Sequence, residues 1–257
     1  MKRILVLIAA LLAWFTASAQ TNIPLTESST SDLQGRFKAG IAIPLGEKWS
    51  IAWNEQLRTK DSFGSIDKIL SSVNFDYTPW KYLTLGSEYA FVNEKKGDDW
   101  RTKHRWNIDI TEKLTVGRIE LSLRERVRME FNGYKTNRYE NPNPFTTMRT
   151  RLKAAYKNSS RWKPYTYVEV YATLNAPYKV NNYLTDPMER DNYCNRVRLV
   201  FGTELKVAEK SKMDFHYMIN FNRSYKASYD TVTGDLQKWA LEKVCAHVIC
   251  VDYKFTL

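Results

Sequence analysis

The residues best suited to chemistry in this chain are arginines that recur two apart. Arg124, Arg126 and Arg128 alternate with Leu123, Val127 and Met129, while Arg149 and Arg151 face away from Met148 and Leu152. Arg196 and Arg198 repeat the pattern against Val197 and Leu199. Arg36, Lys38, Arg58, Lys68 and Arg105 occupy equivalent positions elsewhere. Acids join them on the same faces: Asp76, Glu88, Asp109, Glu120, Glu169, Glu204 and Asp214, with His216. A planar guanidinium presents a fork of N–H donors that matches a carboxylate or a phosphate. The chemistry on offer is therefore anion recognition, or ion pairing among the chain's own side chains.

Hydrolysis needs a different set. A serine hydroxyl becomes nucleophilic only beside a base, and the base needs an orienting partner. The chain has three histidines, His104, His216 and His247, and no His-x-Ser motif pairs one with a serine. Ser71 and Ser122 are not placed beside them by sequence. A lipid-modifying hydrolase is the alternative function, and the expectation is that the chain is not an enzyme. Cys245 and His247 are two possible metal ligands where a structural or catalytic zinc needs three or four, so no metal and no cofactor is expected. Three cysteines, Cys194, Cys245 and Cys250, leave at least one without a disulfide partner.

Period two is the signature of a strand, because successive side chains leave a pleated backbone on opposite sides. Eleven strands are predicted, at about residues 34–45, 49–58, 66–77, 82–92, 102–111, 117–131, 147–157, 165–175, 193–206, 213–223 and 242–256. Most are longer than the ~5–6 residues usual in soluble proteins and reach the ~9–11 needed to cross a bilayer at a tilt. Short turns near 46–48, 78–81, 111–117, 158–164 and 208–212 alternate with longer links at 59–65, 93–101, 132–146, 176–192 and 224–240. That alternation is the layout of an outer-membrane barrel, with short periplasmic turns and long outer loops. Trp49, Trp80, Tyr82, Trp162 and Tyr165 beside the turns, and Trp100, Trp106, Tyr193 and Trp239 near the loops, suit interfacial girdles.

The fold class is thus all-β, an antiparallel up-and-down transmembrane barrel of 10–12 strands. Bacterial single-chain barrels are usually even-numbered, so twelve is favoured, with a weak first strand or a flexible segment at 20–32 and the barrel over 33–257. The arginine-bearing face then lines a narrow lumen. Two readings of that lumen follow: a plug of salt bridges, or a path selective for small anionic solutes. The recurrence of acids among the bases favours the plug. Glu55 and Glu125 break the pattern by falling on the apolar face, and a position near an outer strand end or a β-bulge is expected to accommodate them.

The N-terminus sets the compartment. Lys2 and Arg3 precede an apolar run, Ile4 to Phe15, and Ala17-Ser18-Ala19 is a small-residue cleavage site. Residues 1–19 read as a secretory signal peptide, which places the mature protein in the outer membrane of a Gram-negative bacterium. Its partners are then outer-membrane lipid and the barrel-assembly machinery. The net charge of +11 is spread along the chain and, in a secreted protein, does not indicate nucleic acid.

Several short segments carry a family resemblance: Trp49-Ser50-Ile51 leading into Glu55-Gln56-Leu57-Arg58, Arg149-Thr150-Arg151-Leu152, Trp162-Lys163-Pro164-Tyr165 with Glu169, and the closing Tyr253-Lys254-Phe255. Together they resemble the family of Gram-negative outer-membrane barrels known as a domain of unknown function, the one numbered 2490. The resemblance implies an outer-membrane barrel and supplies no reaction and no catalytic residues. The chain departs from the common terminal aromatic of such barrels by ending Phe255-Thr256-Leu257.

Overall fold

The computed structural model describes residues 24–257 apart from 136, 158–159, 178–179 and 188–189. The expected signal peptide lies outside the described residues. Eleven strands follow one another: β1 (Thr26–Leu45), β2 (Trp49–Lys60), β3 (Ser65–Trp80), β4 (Leu83–Lys96), β5 (Asp99–Val116), β6 (Ile119–Asn132), β7 (Phe145–Tyr156), β8 (Trp162–Pro177), β9 (Arg190–Ala208), β10 (Ser211–Tyr229) and β11 (Leu236–Thr256). Each predicted strand is present. No helix among the described residues is long and apolar enough to cross a membrane, which leaves open a crossing by strands.

Every strand pairs antiparallel with its sequence neighbours, and β1 closes the sheet on β11. That last pair is parallel, in register from Thr26↔Ala240 to Ala42↔Thr256. Among the described residues there is no twelfth strand. Residues 26–32 instead form the start of β1. An odd meander brings its first and last strands together pointing the same way, so only a parallel seam can close it. The barrel is therefore mixed at one seam rather than wholly antiparallel.

The expected long links are also corrected. Two of them collapse into tight turns, at residues 61–64 and 97–98, because the flanking strands continue hydrogen bonding past the predicted ends. Gly97 turns the second hairpin with φ 62°, a left-handed conformation open to glycine without a Cβ clash. Three long connections remain at one end of the barrel, near residues 133–144, 178–189 and 230–235. The other end carries short turns.

Those three connections pack on one another. Val180, Tyr229 and Leu236 form a buried apolar cluster with Tyr139, Tyr183 and Trp239 against it. Asn182 Nδ2 donates to Asp235 Oδ1 at 2.9 Å, and the Tyr229 amide donates to Glu140 Oε1 at 3.1 Å. Asp186 accepts from the amides of Asn182 and Asn181, and Asp230 from those of Thr233 and Val232. These backbone donors hold both carboxyls below their ordinary value. A group with a depressed folded pKa contributes stability above its unfolded pKa and loses it as pH falls through the folded one. Hydrogen exchange, corrected for intrinsic pH dependence, is expected to show these four amides protected at neutral pH. Their protection should decline only below the ordinary aspartate pKa of 3.8.

Side chains sort as the alternation dictates. Outward positions present large apolar groups to the surroundings, among them Ile41, Trp53, Tyr89, Ile110, Leu152, Phe201 and Phe221. Inward positions hold most of the charge. One stretch of the inner wall is apolar: Val200, Met218, Ala246, Val248 and Cys250 on β9–β11 pack together, with Tyr165 and Tyr167 against them. Gly202 belongs to this wall. A Cβ there would come within 2.6 Å of His216 Cβ and 2.7 Å of the Tyr165 ring, so the missing side chain is what lets Tyr165 and His216 meet over β9.

The two outward carboxylates sit at mid-strand with no bulge beside them, contrary to the strand-end or bulge expectation. Their partners are on the same face. Glu55 accepts from Trp53 Nε1 at 2.6 Å and Ser71 Oγ at 2.7 Å, and Glu125 from Thr150 Oγ1 at 2.7 Å. Hydroxyl and indole donors on the same outward face supply the hydrogen bonds that the surroundings do not.

Candidate functional site

The interior cavity of about 340 Å³ is lined by ten arginines and two lysines, Arg36, Lys38, Arg58, Arg105, Arg124, Arg126, Arg128, Arg149, Arg151, Lys153, Arg196 and Arg198. Facing them are Glu88, Glu169, Asp214 and Asp252, with His216, Tyr165, Tyr167 and Tyr171. Asp109 joins the wall through Arg126, and Asp76 lies near Asp109, both being within about 3 Å of where a Gly86 Cβ would stand. Glu120 and Glu204 do not line the cavity. They form ion pairs with Lys157 and Lys212 near the short-turn end. Tyr165, expected in a girdle, turns inward and donates to Asp214 Oδ1 at 2.6 Å.

The register of β6–β9 builds the densest part of this wall. One row runs Arg124↔Arg151↔Glu169↔Arg198, and the next Arg126↔Arg149↔Tyr171↔Arg196. Cross-strand neighbours on one face stand ~5 Å apart. Six guanidiniums are therefore crowded around one carboxylate and one phenol. Such crowding is stable only where acids intervene or an external anion enters.

Glu169 is the intervening acid. It is 1% exposed. Oε1 accepts from Arg124 and Arg149, each at 2.8 Å, and Oε2 accepts from Arg198 at 2.9 Å and from the Tyr171 hydroxyl at 2.8 Å. The ring of Tyr171 lies against three guanidiniums, Arg149, Arg196 and Arg198, with centroid distances of 4.6, 5.0 and 5.1 Å. The electron-rich face of an aromatic ring attracts cations, so Tyr171 spreads part of the charge that Glu169 leaves. Arg126 is held separately by Asp109 at 2.6 Å and Glu88 at 3.2 Å.

A second network sits toward the long-loop end. Lys103 bridges Glu94 at 2.6 Å and Glu130 at 3.7 Å, Arg105 binds Glu130 at 2.9 Å, and Lys68 pairs with Glu94. Here every cation has a bonded carboxylate, three bases sharing two acids, as the plug reading expects. Around Glu169 this is not so. Arg151 lies 5.4 Å from the Tyr167 ring centroid and Arg196 against Tyr171, and no acid is bonded to either among the described residues. The Nε atoms of Arg36, Arg124, Arg149, Arg151 and Arg196 are buried without a hydrogen-bond partner among the described residues, and of these five only Arg124 and Arg149 reach an acid through another nitrogen.

Each histidine has a bonded neighbour that is not serine. His104 meets the Tyr89 hydroxyl at 2.6 Å and His247 the Tyr217 hydroxyl at 2.5 Å, both on the outward face. His216 faces the lumen and meets Asp214 at 2.9 Å. The three cysteines are free thiols. Among the described residues no group of three or more His, Cys, Asp or Glu is arranged to hold a metal.

Sequence reading placed Glu169 of β8 inward but missed the tyrosines that flank it on the same face. Tyr165, Tyr167, Glu169 and Tyr171 alternate perfectly, yet three of the four inward residues are aromatic, so the contrast between an apolar and a polar face is erased there. The signal that could have exposed them is the parity that Glu169 fixes, since Tyr165, Tyr167 and Tyr171 stand two or four residues from it.

Fold and site together define a closed all-β barrel whose interior carries a large excess of arginine. A family model described as protein of unknown function (DUF2490) matches residues 13–230, and the chain belongs to that family. No curated protein matches the chain.

Proposed function

We propose that the chain is an integral outer-membrane barrel whose lumen is a narrow passage selective for small anions. The observation that carries this reading is the charge lining the cavity, ten arginines and two lysines against four acids, with Asp76 and Asp109 close beside them. A plug of matched salt bridges needs acids in comparable number, and the excess here must be met by anions from solution. The outward face supports the membrane setting. Trp53 is 59% exposed and Ile41 50%, and similar groups continue around the barrel on strands of 12–21 residues. Exposed apolar surface of that extent marks contact with lipid or with another apolar surface.

One observation favours a closed structural barrel as the second reading. Asn107, Glu169, Thr173 and Asn220 are almost fully buried at the inner wall, so side chains fill part of the bore.

Reconstitution in a planar bilayer separates the two. Under a salt gradient the reversal potential is expected to report anion preference. Arg126→Ala should shift it toward cations, because Glu88 and Asp109 lose their common partner. Absence of conductance in the wild-type barrel would favour the closed reading.

A further inference from the structure

Three guanidiniums in the lumen stand apart from the rest. Arg124, Arg149 and Arg198 share Glu169, Arg126 has Asp109 and Glu88, and Arg105 has Glu130. Arg58 and Arg128 have no carboxylate but donate to the amide oxygens of Gln56 and Asn107. Arg36, Arg151 and Arg196 have no hydrogen-bonded acceptor among the described residues, and each keeps a buried Nε–H without a partner. Arg151 and Arg196 occupy opposite corners of the grid on β7–β9, diagonally across Glu169 and Tyr171. Arg36 approaches from β1, within electrostatic reach of Arg198, Tyr167 and Tyr171. All three line the same cavity.

We infer that Arg36, Arg151 and Arg196 form a binding site for a multiply charged oxyanion of the phosphate or polycarboxylate class. The inference rests on the anion-selective reading and deepens it by naming a ligand class and a place. A buried N–H donor left without an acceptor is costly, and a buried cation more so. An oxyanion with several oxygens answers both at once, since each guanidinium fork takes two of them. A halide has no directed lone-pair geometry to match three forks and one negative charge where several are needed. Glu169 makes the site selective by engaging Arg124, Arg149 and Arg198, so the lumen guanidiniums without any bonded acceptor among the described residues are those at the corners and on β1. Tyr167 and Tyr171 set the floor against which Arg151 and Arg196 are held.

The same phosphate chemistry could reach the lumen as a free ion or as a lipid headgroup. Calorimetric titration of the full barrel in a non-ionic detergent tests both, using inorganic pyrophosphate in one arm and a short-chain phosphatidic acid in the other, with chloride as the control. Saturable binding of pyrophosphate is expected, weakened roughly tenfold or more by Arg196→Gln and again by Arg151→Gln, since charge-assisted hydrogen bonds are the strong ones. Binding that falls steeply with salt is part of the same expectation. Tighter binding of the phosphatidic acid would assign the site to a headgroup, and tighter binding of pyrophosphate to a free anion.

Both variants are expected to fold, because neither residue has an acid that its loss would strand. Each should raise the unfolding midpoint in anion-free buffer by relieving repulsion. An absence of saturable binding in both arms overturns the inference, as does binding that the two substitutions leave unchanged. This readout needs no current through the barrel. A barrel that binds pyrophosphate and does not conduct keeps the site and loses the passage, and one that conducts without binding does the reverse.

Discussion

Replacing Glu169 by glutamine is expected to destabilise the barrel by about 3–5 kcal/mol, the cost typical of breaking a buried ion pair from one side. Three guanidiniums and a phenol converge on this carboxylate, and it is 1% exposed. Glutamine keeps the shape and one acceptor oxygen. It removes the negative charge, and it points an amide N–H₂ at donors that already lack acceptors. Arg124, Arg149 and Arg198 then repel one another across a cavity that also holds Arg36, Arg151 and Arg196. Urea unfolding of the folded barrel in detergent measures the loss. A double variant, Glu169→Gln with Arg149→Met, should recover part of it, since one of the stranded cations is gone. A loss below about 1 kcal/mol would mean that water or bound anions already compensate these arginines. The contrast with Arg151→Gln and Arg196→Gln is the informative part, because substitutions on one wall are expected to act in opposite directions.

The second large effect concerns the ends of the chain. An odd number of strands places the start of β1 at the long-loop end and the finish of β11 at the short-turn end. On the outer-membrane orientation proposed above, with long loops outward, Glu27→Cys and Val232→Cys should react with a membrane-impermeant maleimide in intact cells. Lys210→Cys, in the turn between β9 and β10, and a tag after Leu257 should become accessible only after the outer membrane is permeabilised. An even-stranded barrel would place the two chain ends on one side. Labelling of Glu27→Cys and the C-terminal tag from the same side would therefore refute the parallel seam. The three native cysteines provide an internal reference, Cys250 being buried and Cys194 and Cys245 half-buried.

The sequence by itself determined where eleven strands run, although even parity favours twelve, and that each has a polar and an apolar side. Alternation such as Phe37-Lys38-Ala39 or Val127-Arg128-Met129 survives any arrangement of neighbours, because it follows from the pleat of a single strand. The resemblance to the DUF2490 family was also legible, in motifs scattered along most of the chain, and the family match agrees. The strand ends were less legible. Residues such as 99–101, 224–229 and 236–241 are polar or mixed, and only a hydrogen-bonded partner on each side makes them strand.

Tertiary structure alone decided closure and charge pairing. Parity was inferred from how such barrels usually close, whereas the parallel β1–β11 seam depends on two strands more than 200 residues apart meeting in register. The same holds for the arginines. Sequence shows twelve bases and their side of the sheet, but not that Arg124 reaches an acid 45 residues away while Arg151, beside that acid on the neighbouring strand, has none. Which cation is neutralised depends on register and side-chain reach across the bore. That three-dimensional pairing is what turns an arginine-rich face into a wall where three guanidiniums have no bonded acceptor among the described residues.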